Sequence, residues 1–320
     1  MYISLLLLSL LATGGRSNTE PPAAGSDGLF CLSLHAEIEP TGSTQTKESA
    51  EAKERVETKV SVRAVFDRRD SVEVEKLLAD RSLNTSLDFA RKLKGRPYVA
   101  HTLEAADPER VVVNLRGLDC ATLVETASAL ALTRREGGSS FSDYCRRLER
   151  IRYRNGKCAG YVSRLHYLTF WIDDHLKRGT IEEVRLPQKL TRPLHVKLHY
   201  MSRHAEAYKM LKNRPERVAE IAAWERKHSG AAGRFLPKRH TGGSRQELGS
   251  IRDGDIIVIV TDKSGLDYSH QGFAAWGKDG KLHMLHASTD FKRVIEDERP
   301  LHDYLQRIPH NRGIRVFRMK

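Results

Sequence analysis

The 320-residue sequence predicts an α+β fold, with helices packed on an antiparallel sheet, and three observations carry that expectation. Helix-period apolar patterns fill the chain from about residue 70 to residue 228. A Gly-, Lys- and Arg-rich stretch follows, and short strand-like runs separated by turn signals occupy the rest. Helices first and strands last is an α+β layout, not an alternating parallel-sheet one.

The first element is the apolar run Ile3, Leu5 to Leu8, Leu10, Leu11 and Ala12, closed by the small residues Thr13-Gly14-Gly15. A permanent membrane-spanning helix takes about 20 apolar residues. The shorter run fits the core of a secretory signal over 1–17, although the α-amino group is its only charged start. The alternative is a misassigned start codon on a cytosolic protein. The flank Gly28-Leu29-Phe30 before Cys31 offers no small-residue box for lipid anchoring. Residues 18–62 are rich in Ser, Thr, Glu, Gly and Lys and too poor in apolar residues to order themselves, so they read as a tether. One domain over 63–320 is the simplest account of the remainder.

Within that domain, short helical patterns cover 72–78 and 87–93. The strongest covers 121–134, with Leu123, Val124, Ala127, Leu130 and Ala131 on one face. Further helices are expected over 161–177, 202–211 and 215–228, and a long loop over 230–249. Strands are expected over 256–260, 270–276, 282–287, 293–295 and 314–317.

Lys and Arg total 54 against 41 Asp and Glu, a net +13, with 39 % apolar residues and four Cys. These figures exclude a disulfide-dense miniprotein, a collagen-like chain and a polytopic membrane protein. The charge suits a polyanionic or carboxylate-rich partner without ranking nucleic acid, membrane surface or acidic substrate.

Local chemistry ranks them. In Arg116-Gly117-Leu118-Asp119-Cys120, Cys120 stands where a Gly-containing loop opens the strongest helix. Free amides and the helix dipole at such a position favour a thiolate, the nucleophilic form of cysteine. The bland alternative is a small apolar residue opening a buried helix, with Asp119 as its N-cap. A nucleophilic Cys needs a base, and His270 follows it by 150 residues, opening the strand Gln271 to Trp276 after Ser269.

His286 lies 16 residues further, and the hairpin loop decides whether the imidazoles meet. A three-residue Lys278-Asp279-Gly280 loop, with Gly280 at φ > 0, pairs Gly277 with Lys281 and sets Gly272 opposite His286. His270 and His286 then share a face one diagonal step apart. A two-residue turn would separate them, and the three-residue loop is the expected one. A metal site at His283-x-x-His286 is disfavoured, because strand side chains three apart point to opposite faces.

The segments Pro97-Tyr98-Val99-Ala100, Val113 to Cys120, Tyr161-x-Ser163-Arg164-Leu165-His166-Tyr167, Ser269-His270-x-Gly272 and His286-Ala287-Ser288 together resemble the NlpC-type cell-wall cysteine peptidases and amidases. The closest likeness is to the N-acetylmuramoyl-L-alanine amidase-like subfamily, over about 70–320. The resemblance implies a papain-like (NlpC-type) fold, with Cys120 as nucleophile, His270 as general base and acid, and His286 orienting His270. Tyr98, Asp119 and Ser269 would support substrate or site. An Asp before the Cys reads a free amine in related peptidases, a role a muramoyl amide does not need. The implied substrate is peptidoglycan or a muropeptide, with no metal or organic cofactor, and an exported, periplasmic or cell-envelope location. A stem-peptide endopeptidase cutting next to D-Glu and a non-catalytic wall-binding module are the alternatives. His101 departs from the family pattern, which has Gly there.

Other features are read alongside. The basic run Arg146, Arg147, Arg150, Arg152 and Arg154 lacks a nucleic-acid-binding module and reads as a solvated helix face. Arg164 is either a carboxylate clamp for substrate or a structural ion-pair partner. Cys145 and Cys158 are either a disulfide of an exported protein or two free thiols.

Overall fold

The computed structural model describes residues 64–320. The signal expected over 1–17 and the tether over 18–62 lie outside the described residues. Among those described, the helices are α1 (Arg68–Ala79), α2 (Ser86–Lys92), α3 (Cys120–Arg135), α4 (Phe141–Arg152), α5 (Leu168–Lys177), α6 (Tyr200–Arg203), α7 (Pro215–His228) and α8 (Leu301–Gln306). The strands are β1 (Ala64–Val65), β2 (Val111–Val112), β3 (Ile181–Glu183), β4 (Arg192–His195) and β5 (Ala232–Pro237), then β6 (Ile256–Thr261), β7 (Tyr268–Trp276), β8 (Leu282–Ser288), β9 (Arg293–Glu296) and β10 (Asn311–Met319).

The result is a mixed α/β architecture built on an eight-stranded antiparallel sheet in the order β4-β5-β10-β6-β7-β8-β9, with β3 also on β10. The continuous apolar run of β6 has a physical explanation in the two faces of this sheet. Ile256, Val258 and Val260 face one core with α1 to α5, while Ile257 and Ile259 face a second core with Leu248, Leu301 and Leu305. A strand buried on both faces has no polar side to alternate with.

Four helices open with reciprocal capping boxes, Asp67/Asp70 on α1, Thr85/Asp88 on α2, Asp119/Thr122 on α3 and Ser140/Asp143 on α4. Each satisfies two backbone donors that helix geometry leaves orphaned. The strand pairs also extend beyond β9. Tyr98 N donates to Lys292 O at 2.8 Å, and Val99 N donates to Leu118 O at 3.1 Å. These bonds stitch the 97–99 segment between the β9 edge and the loop that enters α3.

Several elements differ from the sequence reading. α3 is buried on nearly every side, not on one amphipathic face, because helices and sheet enclose it. The helix expected over 161–177 begins only at Leu168. Before it, Arg164 extends to reach Glu109, and Leu165 N donates to Arg152 O. The 202–211 region holds only α6 and a 3-10 turn, and β5 runs through the expected 230–249 loop, paired between β4 and β10. The basic run is not uniformly solvated: Arg152 is buried, with Nε on Glu125 at 2.6 Å, and the Arg154 guanidinium lies 3.3 Å from the Trp224 ring centroid. Arg146, Arg147 and Arg150 pair with Asp143 and Glu136. Cys145 and Cys158 are free thiols.

Candidate active site

Cys120 is the first residue of α3 and is buried, yet it belongs to neither apolar core. The preceding loop is shaped by side chains. Asn114 Oδ1 accepts from the amides of Arg116 and Gly117, and buried Asp70 Oδ1 accepts from Leu115 N. Asp119 Oδ1 accepts from both Thr122 N and Thr122 Oγ1 at 2.8 Å, so this carboxylate is engaged in the cap. Tyr98 is half-buried on the adjoining segment, its backbone bridged to Leu118. His101, just beyond, adopts φ 63°, the left-handed region that glycine occupies without cost.

The two imidazoles come from the β7–β8 hairpin. Gly277 N donates to Lys281 O, Gly280 sits at φ 73°, and Ala275 pairs with His283. This is the three-residue loop, and its register continued toward the strand ends sets Gly272 against His286. The space there admits only glycine: a β-carbon on residue 272 would lie 2.6 Å from Leu285 O and 2.9 Å from His286 Cβ. With the strands this close, His270 Nε2 and His286 Nδ1 stand 2.7 Å apart, rings edge-on. Ser269 is the extra residue of a bulge between β7 and β6, and its hydroxyl donates to Asn311 Oδ1 at 3.1 Å.

Burial first, and then the neighbouring His286 imidazole, hold the His270 pKa well below the ordinary imidazole value. His270 therefore rests neutral, with one nitrogen able to take a proton. α3 packs against both β7 and β8, on the two strands that carry the pair.

Two further residues join this cluster without any signal in the sequence. Asp297, just after β9, points Oδ2 at His286 Nε2 across 3.6 Å. Its backbone N–H bonds Met284 O, which places it one diagonal step from His286 on the same face. Burial alone would raise its pKa, but His286 and Arg299 hold the carboxyl well below its usual range. Arg299 Nε lies 3.0 Å from Asp297 Oδ1, and Nη2 lies 2.7 Å from Oδ2. Tyr304, on α8, lies 5.4 Å from the His286 ring and 6.2 Å from the His270 ring, centroid to centroid. Burial first, then the Asp290 and Cys120 charges, push its hydroxyl pKa up, so it stays a donor. Neither residue sits in a local motif; the β8–β9 pairing and the docking of α8 bring them in.

Arg164 does not reach this cluster as a clamp. It is 1 % exposed, and Nε and Nη2 each lie 2.9 Å from a Glu109 carboxylate oxygen, with Tyr153 OH on the same Glu109. That is the structural ion-pair alternative. His166 is likewise buried, its Nε2 on Tyr161 O at 2.8 Å. His283 faces away from His286 and bonds the backbone carbonyl of Asp297. Among the described residues, no group of three or more His, Cys, Asp or Glu is arranged to hold a metal ion, and no helix is long and apolar enough to cross a membrane.

Comparison with known proteins gives these residues a context. An N-acetylmuramoyl-L-alanine amidase from Bacteroides uniformis is similar at 40 % identity, over 74 % of this chain and all of its own, with TM-score 0.69. A Bacteroides fragilis protein described as a candidate xylanase matches at 40 % identity over 73 % of this chain and all of its own, TM-score 0.67. A Legionella pneumophila protein shares the fold at 22 % identity, over 78 % and 94 % of the two chains, TM-score 0.61. Among curated proteins none matches. The AmiA-like model, described as N-acetylmuramoyl-L-alanine amidase-like, matches residues 88–314, a span that contains Cys120, His270, His286 and Asp297, and the chain belongs to that family.

Proposed function

We propose that the protein is a cysteine amidase that hydrolyses the amide between N-acetylmuramic acid and L-Ala in peptidoglycan fragments, on an NlpC-type, papain-like framework. The observation that carries this reading is the His270–His286 pair at 2.7 Å, on strands packed against the helix that Cys120 opens. Family membership supplies the amidase class.

In this mechanism His270 takes the Cys120 thiol proton, and the thiolate attacks the muramoyl carbonyl carbon. The first-turn amides of a helix point beyond its end, and the Cys120 N–H is the donor assigned to the oxyanion. Collapse breaks the C–N bond as imidazolium His270 protonates the leaving L-Ala nitrogen, leaving a muramoyl thioester. Water deprotonated at His270 then hydrolyses the thioester and regenerates the thiol. Tyr98, on the segment bridged to Leu118 beside Cys120, is assigned to substrate positioning. Asp119, engaged in its cap, supports the nucleophile rather than reading a free amine.

Glycoside hydrolysis makes different demands, namely two carboxyl groups flanking the scissile bond. The carboxylate beside the imidazoles, Asp297, faces Arg299 and His286, and Asp290 also faces Arg299. The apolar N-terminal run supports export to the cell envelope, where the positive charge suits carboxylate-bearing muropeptides.

Digestion of defined muropeptides followed by mass spectrometry tests the assignment. Release of stem peptide with an intact N-terminal L-Ala is expected, and Cys120→Ala should lose at least about 10³-fold in turnover. Cleavage next to D-Glu instead would assign the endopeptidase reaction. Full hydrolysis by Cys120→Ala would remove the nucleophile assignment.

A further inference from the structure

We propose that Asp297 is a positioning residue of the catalytic relay: its carboxylate sets the tautomer of His286, and through it the tautomer of His270, leaving His270 Nδ1 as the basic nitrogen. This rests on the cysteine-amidase reading above and extends it by one residue.

Asp297 is ionised, with Arg299 across its two oxygens, so it can only accept. His286 Nε2 is buried without a hydrogen-bond partner and stands 3.6 Å from Asp297 Oδ2, so the carboxylate charge favours the tautomer with its proton on that nitrogen. A neutral imidazole has one protonated nitrogen, so His286 Nδ1 is bare and accepts. Its partner at 2.7 Å, His270 Nε2, must then donate. That leaves the lone pair of neutral His270 on Nδ1. Without a fixed acceptor beyond His286, the 2.7 Å bond forms equally well in reverse, with the proton of His270 on Nδ1, where it blocks proton abstraction.

Asp297 is built into place for this task. Its backbone N–H is fixed on Met284 O, and its carbonyl accepts from His283 Nδ1 at 2.9 Å. The charged and titratable groups around the imidazoles are Asp297 and Arg299 after β9, Asp290 before it, Tyr304 on α8 and Cys120 on α3. Asp297 carries the negative charge nearest His286, so its loss removes the charge that favours a proton on the two imidazoles.

Two isosteric comparisons test the role in the full chain. Asp297→Asn can donate from its amide to His286 Nε2 and so enforces the reversed chain. It should lose about 10²–10⁴-fold in kcat/KM, more than Asp297→Ala, which enforces neither direction. Asp297→Glu should recover activity that Asp297→Gln, equal in size but able to donate, does not. The limb of the pH profile that reports protonation of the imidazole pair should move to lower pH in every uncharged variant. The same limb can be read without substrate, from the iodoacetamide alkylation rate of Cys120 against pH. Asp297→Asn keeping the wild-type rate and alkylation profile would overturn the inference while Cys120-dependent turnover stood. Hydrolysis that survives Cys120→Ala would instead overturn the reading on which it rests, and the alkylation profiles would still judge Asp297.

Discussion

Replacing Gly272 by alanine should separate the two imidazoles with one methyl group. Gly272 is not held by backbone conformation; it is held by space. An added β-carbon would stand 2.6 Å from Leu285 O, 2.9 Å from Met284 Cγ and 2.9 Å from His286 Cβ. Ordinary contact begins near 3.4 Å, so the backbone of β8 must retreat by about 0.8 Å at Leu285. Overpacking of this kind costs about 1–3 kcal/mol, which for a domain of this size lowers Tm by several degrees. The retreat acts directly on the 2.7 Å bond between His270 and His286, taking it to the edge of hydrogen-bonding range. Misplacement of a catalytic group by about 1 Å costs on the order of 10²-fold in rate. The assay is kcat/KM on a defined muropeptide at 20 °C below the measured Tm of the variant, so that loss of fold and loss of geometry are read separately. A folded Gly272→Ala protein with wild-type kcat/KM would refute the claim that this close approach sets the imidazole pair.

Two further outcomes follow from buried groups away from the imidazole pair. Glu109→Gln removes the bidentate carboxylate from Arg164 and should destabilise the protein by up to about 3–5 kcal/mol, because it leaves the buried guanidinium with the more distant Glu104 carboxylate at 3.8 Å. Chemical denaturation measures this, and the folded fraction should keep its kcat, since the pair lies outside the proposed active site. Stability should also fall as pH drops below 6.5. Burial holds His166 well below its ordinary value, and burial, despite the Ile151 carbonyl, holds His175 at about 4, so the unfolded chain takes up protons that the folded one refuses. Each contributes up to about 1.4 kcal/mol per pH unit between 6.5 and its folded pKa. A flat Tm between pH 7 and pH 5 would contradict that account.

The hairpin shows how far local chemistry reaches. Asp279-Gly280 allows a two-residue turn or a three-residue loop, and the expected three-residue loop puts His270 and His286 on a shared face, because strand period and turn geometry are local rules. Cys120 at the head of a helix was legible for the same reason, from a Gly-containing loop, an N-cap Asp and an apolar run. The limits of local reading appear at Arg164. Its sequence left clamp and ion pair equally open, and only the fold brings Glu109, 55 residues earlier, to its guanidinium. The 161–177 stretch carries a helical pattern, yet its first turn is spent on that buried pair.

The sequence by itself carries the α+β class and the order of the main helices and strands, which depend on periodicity and capping within a few residues, and it offers Cys120, His270 and His286 as candidates. Tertiary structure alone decided what surrounds those three residues. Asp297 and Tyr304 join them because β9 pairs with β8 and α8 docks on the second core, and no spacing rule links residue 286 to residue 304. Tertiary structure also buried α3 on nearly every side, by wrapping its remaining faces with α1, α2, α4 and the sheet. Local interactions bias each segment toward its element. Which segments meet is set by which faces must leave water together, and that is a property of the whole chain.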